Sequence, residues 1–97
     1  MTIRHLTVFV TVAEQSSMSA AAKFLYLSQP TVSQAIRELE KHYNGLLFER
    51  LGKKLYLTDM GRLLLPHARE MLRQFEQLEE LMQNQGQSST LKLGSTI

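Results

Sequence analysis

A mainly α fold is expected here: three short helices, a small β-hairpin and one long closing helix. Three observations predict it. Apolar residues recur at steps of three and four near the start of the chain and again at Val32, Ile36 and Leu39. A glycine-tipped run, "FERLGKKLYL", carries two short stretches of strand character. Finally, Leu64, Ala68, Met71, Phe75, Leu78 and Met82 advance by 4, 3, 4, 3 and 4 residues, a heptad seam.

Taken in order, "TIRHLTVFVTVAEQ" sets Ile3, Leu6, Val10 and Ala13 on one stripe with Phe9 beside it, which predicts a first helix. "SSMS" interrupts the pattern, and Ser19 is the expected cap of a short alanine-rich second helix, "AAAKFLY". Alanines 20, 21 and 22 are small enough to let a neighbouring helix come close. Leu27 then forms a tight connection to a third helix capped by Ser28, with Pro30 in its first turn, where a missing N–H costs little. Asn44-Gly45 is its expected stop. Strands are predicted over Phe48–Arg50 and Leu55–Leu57, with Gly52-Lys53-Lys54 at the hairpin tip.

Thr58 and Asp59 open the long helix, expected to end near Asn84. Pro66 lies inside it and predicts a kink or irregular first turns rather than a stop, because the seam continues beyond it. At 1.5 Å per residue, ~25 residues span roughly 38 Å, too long for a three-helix unit to cover. The uncovered part of the seam is expected to bury itself against a second copy. The expected divisions are 1–58 for the head, 59–84 for the long helix and 85–90 for a polar hinge. "LKLGSTI", within 91–97, is expected to be the first strand of a further domain.

The third helix is the informative one. On a wheel of residues 29–43, Val32, Ala35, Ile36, Leu39 and Tyr43 fall on one side, and Pro30, Ser33, Gln34, Arg37 and Lys41 on the other. An ordinary solvated face alternates charge, whereas this one is short, polar and positive. Hydroxyl, amide and guanidinium groups are the types that hydrogen-bond base edges and phosphates in a DNA major groove. A short helix, a tight turn and such a helix make a helix-turn-helix, and the basic hairpin beside it is a wing. The whole is expected to be a winged helix-turn-helix followed by a long dimerising linker helix.

Bulk composition is compatible but less decisive. The 97 residues carry a formal charge of +2. Eight Lys/Arg against five acids give Met1–Arg62 a net +3, while two against four give Leu63–Gln85 a net −2. An anionic partner would meet the first segment. The absence of cysteine excludes disulfide and thiolate chemistry. No apolar run reaches membrane-spanning length and the start lacks a signal-peptide layout, so a cytoplasmic location is expected. His5, His42 and His67 form no HExxH motif, no glycine-rich phosphate loop is present, and Ser33 has no plausible catalytic base and acid near it in sequence. An enzyme is therefore not expected. The rival is a protein-interaction module, which would more naturally place large apolar residues where Ser33, Gln34 and Arg37 stand.

"LSQPTVSQAIRELE", followed by "LFER" and "LTDMG", resembles the N-terminal region of LysR-type transcriptional regulators, and the resemblance covers nearly the whole chain. It implies base contacts from Gln29, Pro30, Ser33, Gln34 and Arg37, and phosphate contacts from Ser28 and Thr31 at the helix start. It implies wing contacts from Arg50 and Lys53, with Lys54 as an extra. It also implies double-stranded DNA as partner, a homodimer through the linker helix with a tetramer conceivable at full length, and a small-molecule inducer bound by the domain beyond this chain. No cofactor is expected in this segment. Gln34 stands where many members carry arginine, which puts base preference in question. Ser16 and Met18 replace a frequent Gly and Phe, from which a packing change is expected.

Overall fold

The computed structural model describes residues 2–88. Four helices and one hairpin follow in the order α1 (Ile3–Gln15), α2 (Met18–Leu25), α3 (Gln29–Tyr43), β1 (Phe48–Leu51), β2 (Lys54–Leu57) and α4 (Asp59–Ser88).

Each short helix has a defined cap. Thr2 Oγ1 accepts from the His5 N–H, Ser17 Oγ from Ala20 and Ser28 Oγ from Thr31. Ser17, not Ser19, therefore caps α2, which begins two residues earlier than predicted. Three serines crowd "SSMS", but only Ser17 has the extended backbone that turns its hydroxyl toward a free N–H. At the C-terminal ends, Ser16, Tyr26 and Asn44 all adopt left-handed backbone, with φ of 55°, 58° and 57°. At Tyr26 this turn is closed by Leu27 N–H donating to the Ala22 carbonyl (2.9 Å), which aims the chain straight into α3.

Ser16 stands in left-handed backbone, a conformation that glycine adopts more readily. A side chain in left-handed conformation costs about 1 kcal/mol that glycine avoids. Ser16→Gly is expected to raise the thermal midpoint by about 4–8 °C, read by circular dichroism. A midpoint at or below that of the parent would refute the assignment.

The core is built around α1. Leu6, Val8, Phe9, Val10 and Val12 are all buried, so α1 is covered on nearly every side instead of along the single predicted stripe. Ala21 and Ala22 of α2 and Val32, Ile36 and Leu39 of α3 complete the helical part. Leu47, Phe48 and Leu55 join the hairpin to it, and the Phe9 and Phe48 rings pack with centroids 5.4 Å apart.

The hairpin pairs Phe48 with Leu57 and Leu51 with Lys54, so each strand is one residue longer than predicted. Its turn is therefore Gly52-Lys53, and Lys54 belongs to β2. Gly52 has φ +65° at the first central position, where this class of hairpin turn needs glycine.

Thr58 caps α4 by accepting from the Gly61 N–H (3.1 Å), and its own hydroxyl donates to the Leu46 carbonyl (2.6 Å). The helix runs unbroken through Pro66 and on to Ser88, four residues past the expected stop and into the expected hinge. One glycine inside an established helix costs only about 1 kcal/mol, so Gly86 does not end it. The expected strand in 91–97 lies outside the described residues.

Candidate nucleic-acid interface

Burying Val32, Ile36 and Leu39 turns the opposite side of α3 outward. Gln29, Pro30, Thr31, Gln34, Arg37 and Lys41 are exposed there, and Ser33 is half-buried. Ser28 is exposed at the helix start, its hydroxyl 2.7 Å from that of Thr31. Gln29 lies on the flank toward the hairpin and Thr31 on the flank toward α1, with Pro30, Gln34 and Arg37 exposed between them.

The hairpin brings its basic residues to the same region. Arg50 and Lys53 line one small polar cleft together with Gln29 at the start of α3 and Ser17 and Ser19 at the start of α2. Lys54 does not line it and lies on the opposite strand of the hairpin. The first turn of α2 therefore adds N–H groups and hydroxyls to the face, a contribution absent from the expected site. A serine cluster just before a helix is the signal that could have indicated it.

A second groove lies on the other flank of α3, lined by Arg4, His5 and Val8 of α1 and by Pro30, Thr31, Gln34, Ala35 and Glu38. Arg4 and His5 were not expected at the site, since the first helix reads as pure scaffold. His5 Nε2 donates to Glu38 Oε1 at 2.6 Å. That bond, then one from Gln34, holds the Glu38 carboxyl below the usual carboxylate range. With a lowered pKa, the stabilisation from Glu38 is present above the ordinary carboxylate range and is lost as pH falls through the lowered value.

The candidate dimer seam divides in two. Ala68 is completely buried in the core of its own domain and Leu64 packs partly against it. Ala68 is therefore removed from the seam, because heptad spacing alone does not separate residues covering their own core from those left over. Met71, Phe75, Leu78 and Met82 remain exposed, joined by Leu81. Closer to the head, Tyr43, Leu47, Met60, Leu63, Leu64, His67 and Met71 line an apolar groove continuous with that stripe. Among the described residues, no helix is long and apolar enough to cross a membrane.

A three-helix head with a tight left-handed turn into an exposed polar helix, plus a basic two-stranded hairpin, defines a winged helix-turn-helix protein. The chain belongs to the bacterial regulatory helix-turn-helix proteins of the lysR family, whose family model matches residues 3–62. It is 43% identical over 95 residues to the HTH-type transcriptional regulator CitR of Bacillus subtilis, covering 96% of this chain and 33% of CitR. It is 39% identical over 84 residues to the RuBisCO operon transcriptional regulator of Allochromatium vinosum, covering 87% of this chain and 28% of that one. The chain thus spans a third or less of the length of these curated relatives.

Among solved structures, it is similar to the BenM DBD in complex with catB site 1 DNA. The TM-score is 0.83 at 31% identity, covering 87% of this chain and 94% of that one. The CbnR DBD–DNA complex gives a TM-score of 0.81 at 32% identity, covering 89% and 99%. A full-length OxyR variant from Pseudomonas aeruginosa gives 0.82 at 33% identity, covering 87% of this chain and 28% of that one.

Proposed function

We propose that this chain is the DNA-reading head and linker helix of a transcriptional regulator, and that α3 enters the major groove of double-stranded DNA. The observation that carries the reading is one continuous outer face. It holds Gln29, Pro30, Ser33, Gln34 and Arg37 for base edges, Ser28 and Thr31 for phosphates, and the Arg50–Lys53 cleft beside them. Similarity to two heads solved in complex with DNA supports it. The face has no large apolar residue of the kind an interaction module would need.

Binding of the chain to duplex DNA at 50 and 200 mM salt tests this. Neutralising about four phosphates predicts a roughly hundredfold loss of affinity across that range. Arg37→Ala is expected to weaken binding to a selected duplex by about 1–3 kcal/mol. An affinity indifferent to salt would sink the duplex reading, and an unaltered Arg37→Ala would take that residue off the face.

In the same proposal, two heads are held together by the exposed stripe Met71, Phe75, Leu78 and Met82, so that two half-sites are read by one dimer. Phe75→Glu would place a charge in that seam and is expected to shift the sedimentation profile toward monomer. A profile identical to the parent would move the interface elsewhere. A small-molecule inducer bound by a further domain, a cytoplasmic location and tetramer formation at full length complete the proposal.

A further inference from the structure

The side chains of the α3 face are coupled to one another and to α1. Glu38 accepts from His5 Nε2 through one oxygen (2.6 Å) and from Gln34 Nε2 through the other (3.1 Å). Gln34 Oε1 in turn accepts from Arg37 Nη2 at 3.4 Å. At the far end, His5 Nδ1 lies 2.8 Å from the hydroxyl of Thr2, the residue that caps α1. A single chain of hydrogen bonds therefore runs from the start of α1 to the guanidinium of Arg37. His5 is the more enclosed partner, its side chain 21% exposed against 51% for Glu38.

This arrangement removes a choice that a free glutamine retains. A carboxamide has a donor end and an acceptor end, and rotating it by half a turn exchanges them. A carboxylate only accepts, so Glu38 requires the amide nitrogen on its side and sends the carbonyl toward Arg37. One amide N–H and one carbonyl lone pair of Gln34 are left for a base edge, in an orientation set before any duplex arrives. Preorganisation of this kind lowers the ordering cost of binding and penalises partners that need the other orientation.

We propose that His5 and Glu38 are positioning residues for base selection: they fix the orientation of Gln34, and through it Arg37, without needing to touch DNA. This rests on the duplex-reading role proposed above and names what tunes it. A purely structural His5–Glu38 link between α1 and α3 would affect stability but leave base preference alone.

The 97-residue chain and its Glu38→Ala, His5→Ala, Gln34→Ala and Gln34→Ala/Glu38→Ala variants separate the two. The duplex used is the one that the parent selects from a random pool. Affinities for it and for a mixed-sequence duplex are measured at one salt concentration, well below each thermal midpoint. Their ratio is the readout, because loss of a carboxylate shifts both affinities electrostatically and a reduced folded fraction scales both alike.

Glu38→Ala and His5→Ala are each expected to lower the ratio about tenfold and to relax selection at one base position. In the Gln34→Ala background, Glu38→Ala should change the ratio by less than about twofold, since it acts through the side chain already removed. An unchanged ratio in Glu38→Ala, or an equal fall with and without Gln34, overturns the positioning role while leaving duplex binding intact. A parent that binds no duplex at low salt overturns the duplex reading itself, and the positioning role with it.

Discussion

Phe9→Ala is expected to destabilise the protein by about 3–5 kcal/mol, lowering the thermal midpoint by at least about 12 °C. Phe9 is completely buried in the middle of α1, and its ring packs on Phe48, the first residue of the wing. Removing it opens a cavity against Phe48, and the cost grows with the volume that the neighbours leave unfilled. The wing, two strands of four residues, is anchored on the core through Leu47, Phe48 and Leu55, with Leu57 packed partly against it. Duplex affinity at low temperature should therefore fall along with stability. A shift of only a few degrees in a calorimetric melt would show that the core repacks and that the wing is secured by other contacts.

The second large effect is expected at Gly61. A Cβ added there would sit 2.3 Å from the Leu47 carbonyl oxygen and 2.7 Å from Leu57 Cδ2. The Leu47 carbonyl is backbone and already accepts from the Thr58 N–H at 3.1 Å, so it cannot withdraw without breaking the joint between hairpin and α4. Gly61→Ala should cost about 1–3 kcal/mol or more, even though alanine is the better helix former by about 1 kcal/mol. Thermal melting checks it, and a midpoint equal to the parent's would mean that the Leu47 peptide yields freely. The glycine of "LTDMG" is thus explained by close approach alone, since its backbone is ordinary helix.

Much of this architecture is legible because periodicity and caps are local. Val32, Ile36 and Leu39 marked the inner face of α3, and Ser28, Pro30 and Asn44 marked its ends. What was not legible depends on contacts distant in sequence. Burial of Val8 and Val12 follows from α2, α3 and α4 enclosing α1 together, which no single stripe records. The choice of Ser17 over Ser19 turns on a backbone angle shared by neither sequence context. Ala68 fits a heptad as well as Phe75 does, yet one covers its own core and the other faces outward. His5 is 33 positions from Glu38, and only the crossing of α1 over α3 puts them within hydrogen-bond reach.

α4 has a further consequence as a mechanical part. Its side chains rest on the core as far as Leu72, while the stretch from Arg73 to Ser88 extends beyond it for about 24 Å. An arm seated on the core at one end and projecting over that length converts rotation into travel. A tilt of ~10° about the last core contact, at Leu72, displaces the far end by ~4 Å, more than the separation of successive base pairs in B-DNA. The seating of Leu64, Leu65, Ala68 and Leu72 on the core thereby sets the pitch of the arm.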